Sequence, residues 1–345
     1  MAISKSIRWI ALTGTIVLMT SGCSLLKSEE SAPIDPPPQT AEEMMNGVSS
    51  ADQTTGSPVS LFVRDAKGYL APVSVRVPNS DQKIAQRSLE YLVEGGAGQA
   101  RLPGGFTGVL PKGTQVKSIN IEADKKQATV DFSKEFLTYK PQDERKVLEA
   151  VTWTLTSFGT VDKVMLRVDG KPLTEMPVAK TPVAEGLTRA MGINVEIAPG
   201  VEIGRSTPVT LYFRSESDKF SYYVPVTRMV KRTDQLAQAA LEELIKGPEA
   251  GKGLASAVPA AAKVLEVKQT EDRSLLTVNF DQQLLNDEKK AAAEAMQAIV
   301  LSLTENTGVS KVQLLVNGEA KISSTDDQSY AKPVSRPLHV NTPKM

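Results

Sequence analysis

One cysteine and one histidine in 345 residues leave little for catalysis or cross-linking to work with. With Cys23 as the single thiol, no internal disulfide and no thiolate metal site can form, so the stability of the folded part must come from packed cores. The lone imidazole, His339, stands six residues from the end in a proline-rich stretch. It reads as a solvated tail residue, and its isolation removes Ser-His and Cys-His nucleophiles and an imidazole-rich zinc site. Charge of one sign is also missing: Lys plus Arg number 40 and Asp plus Glu number 40. Aromatic residues make up 5% of the chain and do not alternate with basic runs, so nucleic-acid binding has no footprint. Glycine is present, but "EGGAGQARLPGG" from Glu94 to Gly105 follows a helical pattern instead of opening one and lacks the Gly-Lys-Ser/Thr ending. The amides of a helix N-terminus are not there to hold a phosphate, and no cofactor is expected.

What the N-terminus does have is an order. Lys5 and Arg8 precede an apolar run from Trp9 to Thr20, then small residues, then Cys23. A run of about a dozen residues rises only about 18 Å as a helix against roughly 30 Å of hydrocarbon, so it reads as a secretory signal peptide over 1–22 and not as a mature anchor. "TSGC" resembles the lipobox of bacterial lipoproteins, which implies cleavage between Gly22 and Cys23 and acylation of Cys23. Ser24 to Ser57 holds four prolines and six acids against one lysine, with no aromatic residue, and is expected to be a disordered tether.

Beyond the tether the chain repeats. "VSLFVRD" from Val59 returns as "VTLYFRS" from Val209, "LEYLVEGG" from Leu89 as "LEELIKGP" from Leu241, and "TVDF" from Thr129 as "TVNF" from Thr277. "VTWTLT" from Val151 returns as "IVLSLT" from Ile299, and "VMLRVDG" from Val164 as "VQLLVNG" from Val312. The offset hardly drifts, so one unit occurs twice with short insertions in loops.

Each copy reads β-β-α-β-β-α-β. A first helix carries Ile84, Ala85, Leu89, Leu92 and Val93 on one stripe, opened by Ser80-Asp81-Gln82 or Thr233-Asp234-Gln235 and stopped at Gly95 or Gly247. A hairpin follows with Ile119 and Ile121 facing Ala128, Val130 and Phe132. A second helix buries Val147, Leu148, Val151 and Leu155, or Ala295, Met296, Ile299 and Leu303. A last strand buries Val164, Leu166 and Val168, or Val312, Leu314 and Val316, before turning at Asp169-Gly170 or Asn317-Gly318. Alternation in the strands predicts an α+β fold of two layers, with helices on one face of a mainly antiparallel sheet and the other face open. The domains are then 58–178 and 209–345, the second including the C-terminal tail, with a Pro- and Gly-rich connector over 179–208.

"LVEGG", "LPKGTQVKSI", "ATVDFSKEF" and "KPVSRPLHVN" resemble the GerMN domain, and the whole chain resembles the tandem-GerMN lipoproteins of endospore-forming Firmicutes. The resemblance implies a role in sporulation and germination, attachment through Cys23 to the mother-cell membrane facing the forespore, and a place among other sporulation membrane proteins. It also implies a likeness to the ring-building modules of secretion machines. The second copy departs where "SAVPAAAKVLEV" replaces the Pro-Gly turn and where Asn279 replaces Asp131.

Residue chemistry offers two further candidates. Asp131 and Glu135 form a carboxylate pair of the kind a wall hydrolase uses, but their counterparts are the neutral Asn279 and Gln283. Phe106, Val109 and Leu110, set among glycines, are candidates for a partner-contact loop, against the plainer reading that they fold over their own core. Three functions therefore stand at this point: a tethered, non-enzymatic assembly component; an extracytoplasmic binding module for peptidoglycan or a peptide; and a carboxylate-dependent wall hydrolase.

Overall fold

The computed structural model describes residues 56–78, 83–217 and 220–342. Signal peptide, Gly22, Cys23 and all but the end of the tether lie outside the described residues, as does the expected cap at Ser80–Gln82. From residue 56 onward the described chain forms one compact unit.

The repeat is laid out twice in the expected order. First come β1 (Ser57–Arg64), β2 (Leu70–Val77), α1 (Ile84–Glu90), β3 (Val116–Glu122), β4 (Gln127–Phe132), α2 (Glu144–Leu155), β5 (Lys163–Val168) and β6 (Lys171–Pro172). The connector holds β7 (Glu196–Ile197). The second copy runs β8 (Ser206–Glu216), β9 (Ser221–Lys231), α3 (Leu236–Lys246), β10 (Val264–Gln269), β11 (Leu275–Phe280), α4 (Ala293–Thr307), β12 (Lys311–Val316) and β13 (Val334–Ser335).

Each copy divides its strands between two sheets. The opening strands form a separate antiparallel hairpin, β1 with β2 and β8 with β9, the latter widened by β7 running parallel to β9. The remaining strands form sheets of order β3-β4-β5-β6 and β10-β11-β12-β13. Within them β4 runs parallel to β5, and β11 to β12, because α2 and α4 carry the chain back across the sheet. Val130 pairs with Ile119 and Leu166, so all three point inward. Thr129 pairs with Asn120 and Met165 on the outer face, where Asn120 is exposed, Thr129 is half-buried and the turn at Gly186 lies against Met165. Both edge strands carry an irregularity at the same place, between Val116 and Ser118 and between Val264 and Glu266. Such bulges spoil an edge as a template for further pairing.

The helices stand between hairpin and sheet. Val147, Leu148, Val151, Trp153 and Leu155 of α2 are fully buried, each apolar side chain contributing on the order of 1.5–3 kcal/mol. Hairpin and helix are also stitched by hydrogen bonds: the Phe62 N–H donates to Thr154 Oγ1, and the Tyr212 N–H to Ser302 Oγ, both at 3.0 Å. These hydroxyls satisfy strand amides that burial would otherwise leave unpaired. At the start of α2, buried Glu144 accepts the N–H groups of Ala179 and Thr181 and the hydroxyls of Thr181 and Tyr139. Burial alone would raise its pKa, but these donors hold it below the ordinary glutamate value. It pins the first residues of the connector.

Helix ends differ in part from expectation. Gly247 (φ +81°) does end α3. In the first copy α1 stops earlier, at Glu90, and Gly95 (φ +65°) serves the turn that follows. Thr233 accepts the Gln235 N–H just ahead of α3, so it braces the approach and does not cap the helix.

Candidate functional site: the seam between the repeats

A cluster of charged and amide side chains, each with several partners, gathers where the two copies meet. Two arms build this seam. After β5, Leu187 exchanges backbone hydrogen bonds with Val164; in the second copy Val334 pairs with Val312 as part of β13. Each arm then carries an arginine and, after four intervening residues, an asparagine: Arg189 with Asn194, Arg336 with Asn341.

The asparagines span the facing hairpins. Asn194 Oδ1 accepts the Leu70 N–H (2.9 Å), and its Nδ2 donates to Leu70 O (2.8 Å) and across to Pro225 O (2.7 Å). Asn341 Oδ1 accepts the Tyr223 N–H (2.7 Å), and its Nδ2 donates to Tyr223 O (2.7 Å) and across to Pro72 O (2.8 Å). "LAP" from Leu70 matches "YVP" from Tyr223, so the two sets of bonds are the same set exchanged. Both asparagines hold a left-handed backbone (φ +47° and +57°), which Asn tolerates better than other side chains. The neighbours follow suit: Ile193 exchanges hydrogen bonds with Thr227 of β9, and Ser74 of β2 donates to Val340 O. Each arm is bonded to its own repeat and also reaches across to the other.

The arginines converge on one carboxylate. Arg189 Nη1 donates to both oxygens of Glu305 (2.8 and 3.0 Å), with its guanidinium 4.4 Å from the Trp153 ring centroid and its Nε on Thr156 Oγ1. Arg336 donates to Glu305 Oε2 (2.8 Å), Tyr212 OH (2.6 Å), Thr304 Oγ1 and Leu301 O. Burial would raise the Glu305 pKa, but the two guanidiniums outweigh it and hold the carboxyl below its ordinary value. The Tyr212 hydroxyl, buried beside Glu305, is pushed up to about 12 even though Arg336 acts the other way.

A second exchange involves the loops. Phe106 is buried, with its ring 6.0 Å from Phe220 and 5.0 Å from Tyr222 of the other copy. In return Lys67 donates to Gly253 O and Ser215 Oγ, and Tyr69 OH to Lys252 O. The Tyr222 hydroxyl bonds Asp65 Oδ2 at 2.8 Å. Val109 and Leu110 are buried as well, so the loop proposed for a partner presents none of its three side chains to solvent. What Phe106 touches is the second repeat of its own chain.

The other sequence candidates have structural duties. Asp131 Oδ1 accepts the Gly170 N–H at 2.9 Å, and Asn279 Oδ1 accepts the Gly318 N–H at the same distance. A neutral amide does in one copy what the acid does in the other, which weighs against a proton-transfer role for Asp131. Glu135 is partly exposed, its pKa lowered chiefly by the Ser133 hydroxyl. His339 lies at the surface of the second arm. Buried Arg228, where the first copy has Val75, pairs with Glu196 (3.1 Å) and Glu243 (3.0 Å) and floors a groove of about 710 Å³ between β7 and α3. Among the described residues no group of His, Cys, Asp and Glu is placed to hold a metal ion, and no helix is long and apolar enough to cross a membrane.

Composition and periodicity do not mark the arms. Their one signal is the Arg-x4-Asn spacing, which recurs at an offset one residue shorter than that of the second helices.

Known proteins share the tandem-repeat fold. The family model Germane, described as "Sporulation and spore germination", matches residues 60–174 and 210–322, the two repeats in turn. The spore germination protein GerM of Bacillus subtilis (strain 168) is 36% identical over 353 aligned residues, which cover 95% of this chain and 95% of that protein. The solved tandem GerMN domains of the sporulation protein GerM from Bacillus subtilis align with a TM-score of 0.78 at 38% identity, covering 83% of this chain and 100% of that one. With both repeats matched in order and nearly the full length aligned, the chain belongs to the GerM family of sporulation and spore-germination proteins, built on tandem GerMN domains.

Proposed function

We propose that this chain is a membrane-tethered, non-enzymatic assembly component, held by acyl groups on Cys23 at the extracytoplasmic face of the mother-cell membrane and contributing to the complex that links mother cell and forespore. The observation that carries the reading is the seam. Glu305, Arg189, Asn194 and Asn341 each make a bond that joins the two repeats, Arg336 holds Glu305 in place, and the candidate acid Asp131 holds a turn. Such a molecule is suited to presenting surfaces in fixed relation. The surfaces it presents include the outer sheet faces, with Asn120 and Thr129 on one and Thr277 on the other. A lipid tether confines those faces beside membrane partners, so that weak contacts act as intramolecular ones.

The test has two parts in sporulating cells. Cys23→Ala should move the full chain from membrane to soluble fraction and reduce sporulation or germination while the folded unit persists. Photo-cross-linking residues at positions 129 and 277 should capture sporulation membrane proteins. An unchanged membrane fraction would defeat the lipid tether, and purified protein that cleaved peptidoglycan would defeat the non-enzymatic reading.

A further inference from the structure

The turns that end β5 and β12 look alike and differ in chemistry. Asn317-Gly318 joins Val316 to Glu319 through a pair of backbone hydrogen bonds (2.9 and 3.0 Å), with φ of +48° and +84° at its two central residues. That is the geometry for which Asn-Gly is favoured in two-residue hairpins. Asn-Gly is also the dipeptide most open to spontaneous imide formation, because glycine places no side chain beside the attacking nitrogen. Here Asn317 is exposed, its side chain makes no hydrogen bond to a described residue, and a Cβ on Gly318 would meet nothing within 4 Å. Water has free access.

One contact opposes the reaction. The Gly318 N–H donates to Asn279 Oδ1 at 2.9 Å. In the reaction that nitrogen loses its proton and bonds to the side-chain carbonyl carbon of Asn317, and ammonia leaves to give a five-membered imide. Water then opens the ring to aspartate or isoaspartate, so ammonia is exchanged for water and no redox partner is needed. A Gly318 amide held by Asn279 is turned toward β11 and must give up that bond before it can attack.

The first copy is doubly secured. Gly170 N–H donates to the Asp131 carboxylate, and the Asp169 side chain, itself a poorer electrophile than an amide, is held by Lys117. The residue in the place of Lys117 in the second copy is Leu265, which is 53% exposed and can hold nothing polar. We infer that Asn317-Gly318 is a deamidation site built into the second repeat, and that Asn279 is the residue that holds its backbone nitrogen back. Conversion would put a new carboxylate beside Asn279 and, as isoaspartate, an extra backbone atom into a two-residue turn.

Peptide mapping by mass spectrometry on the full chain tests this. In denaturant, Asn317 and Asn46, the other Asn-Gly pair of the chain, should convert at a common rate. In the folded protein Asn317 should be slower than in denaturant. Asn279→Ala should raise the native rate about five- to tenfold, the kinetic equivalent of one net hydrogen bond, while Asn279→Asp, which copies the first repeat, keeps it low. Equal rates for the native protein and Asn279→Ala, with the fold intact, would overturn the inference. Should Asn279→Ala not fold, amide exchange of Gly318 in the unaltered protein decides: protection supports the guard, and exchange at the unfolded rate removes it.

Discussion

The two repeats solve the same packing problem with different side chains, and the differences separate what the fold requires from what each copy adds. The hairpin-to-helix bond is made by Thr154 in one and Ser302 in the other, so only a hydroxyl is required. The turn acceptor is Asp131 or Asn279, so only an oxygen is required. At the seam the copies part company. Glu305 stands where the first repeat has Ser157, and one carboxylate serves both arginines.

The sharpest way to break this comparison is Glu305→Ala. It leaves two guanidiniums at the seam without their counter-charge and should destabilise the protein by about 3–5 kcal/mol in denaturant titration, where losing one partner of a buried pair usually falls. A loss near that of an exposed ion pair would mean that the cluster contributes little. Phe106→Ala should cost a similar amount, about 3 kcal/mol or more, because it empties a buried aromatic contact that spans the copies. Leu254→Ala, on the opposite loop and only partly buried, should cost less.

The asparagines offer a finer comparison. Asn194→Ala and Asn341→Ala should each lose about 1–3 kcal/mol and should resemble one another within experimental error. Hydrogen exchange tells them apart: the first unprotects the Leu70 amide, the second the Tyr223 amide. Their effects should not add, since both act on one seam.

Acid sharpens the contrast between helices. The depressed pKa of Glu305 means that its stabilisation is complete above the unfolded value, about 4.3, and is lost as pH falls through the folded one. Buried Glu149 of α2, which accepts the Asn194 N–H, has a pKa raised by burial in spite of Arg145, so its contribution has the opposite sign and fades as pH rises. Glu149→Gln, the residue of the second copy at that place, should leave neutral-pH stability unchanged or slightly higher, and Glu305→Gln should flatten the acid limb. Smallest of all is Asp131→Asn, within about 0.5 kcal/mol and without effect on sporulation.

Local order was legible because it is written in short spacings. The periodicity of Val147, Leu148, Val151 and Leu155 gave the second helix, and the alternation of Ala128, Val130 and Phe132 gave the strand that pairs on both sides. The division into a hairpin and a separate sheet was not legible, since the same alternation serves either arrangement. Nor was the seam. Asn341 meets Pro72 across 269 residues of chain, and Arg189 meets Glu305 across 116, distances over which a single sequence carries no periodic trace. Phe106 stands out in the sequence for its chemistry, but the rings it meets, Phe220 and Tyr222, belong to the other half of the same molecule.

The exchanged arms also set an order of events during synthesis. The edge of β2 at Pro72 is made early and receives its partner only when Asn341 has emerged, so closure of the molecule is a late, long-range step that waits on nearly all of the chain. Until then the first half must survive with an unfinished margin, and any truncation ahead of Arg336 would leave it unfinished for good.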